Sequence, residues 1–233
     1  MKSRIFVPNK GVSVDFGESK IYTISDGIYK EFKDNISLAT RRRKKERLIY
    51  LSQFNNLKEY YPEIEYFVEC LFGLYIKGYV MQEVQSTQLY YSGFAKEKLD
   101  ILHKIKEILA SFESIGLRYY DLHTGNVVLN KNKLPMFFDI DSILYIDETK
   151  PDIKPFGFDY YEIYGGKLDK KFQLIKFNAL VQSILASVPK GHLTYDEIGK
   201  EMINCQLNIY NPNSIFANED LLEHVTLSKK RND

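Results

Sequence analysis

The hydrophobic period of this 233-residue chain changes once, and that change constrains its architecture more than any other feature. From Val12 to Phe32, short β-branched and aromatic runs are punctuated by Gly11, Gly17 and the pair Asp26-Gly27. Asp-Gly between Lys20–Ser25 and Ile28–Phe32 predicts a hairpin, because both residues tolerate the positive φ of a tight turn. The pattern then predicts a helix from about Ala39 to Leu57 and two strands, Tyr66–Leu71 and Leu74–Gln82, turning near Gly73. Past Gly93, Leu99, Leu102, Ile105, Leu109 and Phe112 recur three and four apart, the stripe of a buried amphipathic helix stopping at Gly116. Asn126–Leu129 and Pro135–Ile140 read as strands joined by the polar turn Asn130–Lys133, and Phe172–Ser187 reads as a second apolar helix. Thr194 with Glu197 forms a capping box for a third, and Asn218–Val225 supplies a short last one. A strand-rich first lobe with one helix and a mostly helical second lobe are therefore expected, joined near Gln82–Gln88.

Composition narrows the function. An apolar fraction of 44% and a charged fraction of 27% exclude a disordered chain and a fibre. A formal charge of +1 gives no global field towards nucleic acid. The run Arg41-Arg42-Arg43-Lys44-Lys45 reads as a solvated helix start, and the tail Ser228–Arg231 as a frayed end. Cys70 and Cys205 stand far apart with no His/Cys cluster, which suits free thiols in a reducing compartment. Met1–Gly11 has no apolar stretch of a signal peptide, and the apolar window Tyr66–Ile76 is too short for a bilayer. A cytoplasmic protein with no membrane span and no nucleic-acid partner is expected.

The chemistry concentrates in Tyr119-Tyr120-Asp121-Leu122-His123-Thr124-Gly125-Asn126 and in Phe138-Asp139-Ile140-Asp141. Asp121 and Asn126 lie five apart on a loop after a buried helix, and the intervening hairpin returns Asp139 towards Asn126. Few, hard oxygen ligands of this kind suit a Mg²⁺ that also binds substrate phosphates.

These residues resemble the catalytic loop of the protein-kinase-like superfamily, in the Asp-Leu-His-x-Gly-Asn form common among aminoglycoside and choline phosphotransferases and atypical kinases. Asp139-Ile140-Asp141 resembles the metal-binding Asp-Phe-Gly element, with Asp in place of Gly. The resemblance implies an α+β, bilobal kinase-like domain over 1–233, with an N-lobe about 1–84 and a compact C-lobe about 85–233. It implies that Asp121 orients and deprotonates an acceptor hydroxyl, and that Asn126 and Asp139 hold Mg²⁺ or Mn²⁺. His123 contacts the γ-phosphate or braces the loop; Asp141 assists a second metal or caps the next turn. Lys30 in Ile28-Tyr29-Lys30-Glu31-Phe32 corresponds to the lysine on the α- and β-phosphates of ATP, and Glu46 to its helix-borne partner. Gly17-Glu18-Ser19 occupies the phosphate-covering loop with one glycine where the family often has three. Val80-Met81-Gln82-Glu83-Val84 resembles the hinge, with Met81, Glu83 and Val84 beside adenine.

The implied activity is transfer of the γ-phosphate of ATP to a hydroxyl of a protein Ser/Thr or a small molecule. The alternatives are a pseudokinase that binds nucleotide or a partner, and a kinase-fold enzyme that transfers AMP. Tyr120 stands where phospho-regulated kinases carry arginine, so control by loop phosphorylation is not expected. The aspartate expected early in the following helix is replaced by Gln173 or shifted to Asp169. Asp147, Glu148, Asp152 and Glu162 are candidates for an acidic acceptor pocket or an ordinary surface.

Overall fold

Alternation along the strands builds the first of two compact units, Met1–Gln85 with Met136–Ile143. The computed structural model describes residues 2–5, 11, 13–70, 73–89, 95–148 and 167–185, and the chain is mixed α+β. In the first unit β1 (Lys2–Arg4), β2 (Ser13–Phe16), β3 (Ser19–Ile24), β4 (Gly27–Phe32), β5 (Ile64–Cys70) and β6 (Tyr75–Met81) form one sheet in the order β1-β5-β6-β4-β3-β2. All neighbours are antiparallel except β1 and β5. The Asp26-Gly27 hairpin forms with Ile24 opposite Gly27, at φ +132°.

Side chains opposite one another in an antiparallel pair share a face. Tyr29, Val80, Tyr66, Val68 and Ile24 therefore cluster on one side of the sheet, with Tyr22 stacked on Tyr29. On the other side Lys30 stands between Ile21 and Tyr79, two residues along from Phe32 and Ser19. Phe32 and Phe67 pack against Tyr79 there, at ring-centroid separations of 6.0 and 6.4 Å.

The helix α1 (Leu38–Leu51) starts at Ser37, whose hydroxyl accepts the Thr40 N–H at 3.1 Å. It ends six residues before the expected Leu57. Ser52 turns its hydroxyl back to the Ile49 carbonyl, Phe54 is extended, and Asn55–Tyr60 continues as a 3₁₀ helix. The short strand β1 carries no sequence pattern of its own and is held by its parallel pairing with β5.

The second unit comprises Ser86–Pro135 and the residues from Leu144 onward. Its long helix α2 (Ala95–Ser114) buries Leu102, Ile105, Leu109 and Phe112, and Gly116 reverses the chain at φ +78°. Two ribbons follow: β7 (Ser86–Gln88) pairs with β9 (Val127–Asn130), and β8 (Leu117–Arg118) with β11 (Leu144–Tyr145). The Asn130 carboxamide oxygen accepts the Asn132 and Leu134 N–H groups and forms the turn into β10 (Pro135–Phe137). The helix α3 (Lys170–Leu185) is capped by Asp169, whose Oδ1 accepts the Phe172 N–H at 3.0 Å. The expected helices at Thr194 and Asn218–Val225, the basic tail, Cys205, Asp152 and Glu162 lie outside the described residues. Among the described residues no helix is long and apolar enough to cross a membrane.

Candidate functional site

In the first unit the site is built where β4 meets the turn after β10. Lys30 is 5% exposed at the middle of the sheet and forms ion pairs with both Asp139 and Asp141. Burial alone would lower the Lys30 ammonium, but the two carboxylates hold it well above its ordinary value. Asp139 is placed by an uncommon backbone: it is left-handed, φ +53° and ψ +39°, immediately before the single 3₁₀ turn Ile140–Ser142. Only its Oδ1 meets Lys30; its Oδ2 has no hydrogen bond among the described residues, and the side chain is 31% exposed. Loss of water raises the Asp139 carboxyl, Lys30 pulls it back, and the Asp141 charge raises it again.

Asp141 is engaged on every side. Its Oδ1 takes Lys30 and the Tyr79 hydroxyl, the latter at 2.6 Å, and its Oδ2 takes Lys44 at 2.9 Å. Burial would raise this carboxyl; the two lysines and Tyr79 hold it far below the usual carboxylate range. With both oxygens accepting from protein donors, Asp141 anchors the two lysines of the cluster. Lys44 also lies 3.3 Å from Glu18 Oε2 on the turn between β2 and β3. Burial lowers Lys44, and Asp141 and Glu18 outweigh it, so the ammonium is raised. Burial raises Glu18, with Lys44 as a partial counterweight. Ser19 beside it is 2% exposed, and its hydroxyl has no hydrogen-bond partner among the described residues.

Two expectations are corrected here. Glu46 is exposed and does not meet Lys30, whose carboxylates come from Asp139 and Asp141. The run Arg41–Lys45 is not a solvated helix start. Arg41, Lys44 and Arg47, three apart on one face of α1, are each no more than 2% exposed. Arg41 donates to the Ile36, Ile76 and Lys33 carbonyls, which ties α1 to the sheet. Lys44 is thus a site residue that sequence reasoning missed, hidden in a row of like charges.

At the other end of the sheet Met81 is buried at the close of β6, Glu83 is exposed and Val84 half-buried in the link that follows. A Cβ on Gly27 would come within 2.4 Å of the Met81 carbonyl oxygen, so the hairpin turn packs directly on this segment. Gly17 takes φ +43° in the β2–β3 turn, and its carbonyl accepts from the Lys33 ammonium at 2.7 Å.

The second unit holds the other half of the motif. The Asn126 amide donates to Asp121 Oδ2 at 2.9 Å and to the Asp121 carbonyl at 3.0 Å. Its own Oδ1 keeps no hydrogen bond among the described residues. His123 accepts the Gly125 N–H on Nδ1 at 3.1 Å, and a Cβ on Gly125 would meet that ring at 2.9 Å. His123 therefore braces the loop, with its Nε2 3.8 Å from Asp121 Oδ2. Beneath the loop, the buried Tyr120 donates to the Leu168 carbonyl and packs on Phe172. Gln173 donates to the Tyr119 carbonyl at 3.4 Å while Asp169 caps α3, so Gln173 supports the loop and Asp169 does not. One turn along, Lys176 is 3% exposed; burial lowers its ammonium and Asp121 pulls it back up. Nothing in the sequence pattern had singled Lys176 out.

Set against models of known protein families and against curated proteins, the sequence matches none. Among the described residues no three His, Cys, Asp or Glu side chains gather as a ready-made metal cage.

Proposed function

We propose that this chain is a bilobal, protein-kinase-like phosphotransferase that moves the γ-phosphate of ATP to a hydroxyl of a protein or small molecule. The observation that carries this reading is the joining of Lys30 to Asp139, 109 residues away, within a buried cluster. A lysine desolvated at a strand centre and a carboxylate on a left-handed turn are costly separately. Their pairing is what a site holding phosphate and cation together needs.

The donors present suit Mg²⁺ or Mn²⁺. Asp139 in the first unit keeps Oδ2 open, Asn126 in the second keeps Oδ1 open, and each by itself is a hard oxygen donor. Few protein ligands are needed where phosphate oxygens and water complete an octahedral shell, which accommodates the lack of a three-residue cage. The metal would supply charge neutralisation at the transferred phosphoryl group. Lys30 would bind the inner phosphates, and Ser19 on the covering turn would donate its unused hydroxyl. Asp121 would orient the acceptor hydroxyl and take its proton, with Asn126, His123 and Gln173 holding its loop.

Intact-mass and peptide mass spectrometry after incubation with ATP, Mg²⁺ and candidate acceptors tests this directly. A gain of one phosphate supports the reading. A gain of AMP would show transfer of the α-phosphate, and binding without any modification would show a pseudokinase; either overturns it.

A further inference from the structure

We propose that Lys44 is a second phosphate-binding lysine, and that Glu18 occupies it as an internal anion which an incoming polyphosphate displaces. The proposal rests on the phosphotransferase reading of the same site and adds a ligand contact to it.

The Lys44–Glu18 contact differs from the other contacts of this cluster. Lys44 meets Asp141 at 2.9 Å with hydrogen-bond geometry, whereas Glu18 Oε2 sits at 3.3 Å, buried and without any hydrogen-bond donor. A buried carboxylate oxygen that meets its cation without hydrogen-bond geometry has its desolvation only partly compensated. The direction of the Glu18 shift, raised by burial with Lys44 only partly countering it, agrees with that geometry. Beside it the Ser19 hydroxyl is also buried and unpartnered, on the sheet face that carries Lys30. Adjacent residues of one turn thus present an orphan acceptor and an orphan hydroxyl next to a buried cation.

The turn itself need not open. Lys33 fixes its backbone twice, donating from its ammonium to the Gly17 carbonyl at 2.7 Å and from its N–H to the Glu18 carbonyl at 2.9 Å. Only the Glu18 side chain, 23% exposed, has to rotate away. A phosphate oxygen then replaces the carboxylate on Lys44, which keeps its bond to Asp141. Two lysines face Glu18, Asp139 and Asp141 before the exchange, so rotation of Glu18 outwards leaves two lysines against two carboxylates and removes one negative charge from the path of the incoming phosphate. Ser19 supplies a hydroxyl to the anion that carboxylate could not use. The ligand class this selects is a polyphosphate, because Lys30 and Lys44 sit on different oxygens of Asp141 and offer two ammonium groups to successive phosphates.

Calorimetric titration of the intact chain with inorganic tripolyphosphate, ATP and adenosine tests the proposal. Glu18→Gln should tighten tripolyphosphate and ATP about five- to tenfold, a change of roughly one decade or less in affinity, and leave adenosine unchanged. Lys44→Met should weaken both phosphates about tenfold or more without affecting adenosine, and Lys44→Arg should restore part of the loss. In the Lys44→Met background Glu18→Gln should give no tightening. Unchanged tripolyphosphate affinity in Glu18→Gln, a substitution that keeps the side chain's size and removes only its charge, overturns the proposal. So does a wild-type chain that binds no tripolyphosphate. Tripolyphosphate bound through Lys44 with neither ATP nor adenosine bound would instead overturn the nucleotide reading and leave this one standing.

Discussion

Lys44 Nζ lies 2.9 Å from Asp141 Oδ2, joining the middle of α1 to a turn 97 residues further along the chain. Asp141 is 1% exposed and neutralised by two ammonium groups and a phenol, so its charge is stabilising only while all three stay in place. Removing one partner of a buried pair leaves the others uncompensated.

Asp141→Asn should therefore cost about 3 kcal/mol or more of folding stability, as breaking buried ion pairs does. Urea denaturation followed by circular dichroism measures it. A loss within ~0.5 kcal/mol, the range of ordinary surface changes, would show that Lys30 and Lys44 find equal partners elsewhere.

The same cluster sets a pH window. Lys30 and Lys44 are raised above the ordinary lysine value of 10.5, so their contribution is fully present below 10.5 and is lost as pH climbs through the folded values. Asp141 is depressed below 3.8, so its contribution is present above 3.8 and is lost as pH falls beneath it. Glu18 and Asp139 are raised and act oppositely, taking up protons more readily in the folded chain and offsetting part of the acid loss. The stability advantage of wild type over Asp141→Asn should thus be flat from about pH 5 to 10 and shrink on either side. Paired denaturant titrations across that range check it.

Gly78 faces Glu31 across the β4–β6 ladder, and a Cβ there would come within 2.0 Å of the Lys30 carbonyl oxygen. Gly78→Ala should push the strands apart beneath Lys30, costing about 2 kcal/mol or more and weakening ATP binding together with stability. Gly116→Ala is the control: φ is +78° but nothing lies within 4 Å, so the cost should stay near 1 kcal/mol of backbone strain with ATP affinity unchanged. Thermal melts with and without Mg·ATP read out both variants.

Asp121→Asn should retain ATP affinity, because that side chain is assigned to the acceptor, and cut turnover by a factor of ~10² or more. Equal turnover would remove Asp121 from the catalytic assignment. Gln173→Leu, which frees the Tyr119 carbonyl, should lower turnover by a smaller factor with ATP affinity kept.

Tyr120 is 1% exposed, with its hydroxyl on the Leu168 carbonyl and its ring on Phe172. A neutral, buried phenol cannot receive a loop phosphate as an arginine does. Phosphatase-treated protein should begin turnover without a lag, and a lag abolished by pre-incubation with ATP would contradict this.

What the sequence determined by itself was whatever is encoded locally or in apolar periodicity. The Asp26-Gly27 hairpin, the stripe Leu102–Phe112 and the closed loop from Asp121 to Asn126 each depend on residues within a few positions of one another. Lys30 is singled out by the resemblance of Ile28–Phe32 to a phosphate-binding strand, since a lone lysine in an alternating strand reads equally well as a solvent-facing charge. The tertiary structure alone decided which of seven consecutive charged residues in α1 face inwards. Burial of Arg41 and Lys44 leaves no hydrophobic signal, since their partners are the carbonyls of Lys33, Ile36 and Ile76 and the Asp141 carboxylate. A helix of like charges has no phase until distant oxygens select one, which is why Glu46 looked right by spacing and turned outwards. Asp141 escaped for the same reason. Two carboxylates one residue apart are chemically alike in sequence, and only packing against Tyr79 and Lys44 fills both oxygens of one while leaving an oxygen of the other open.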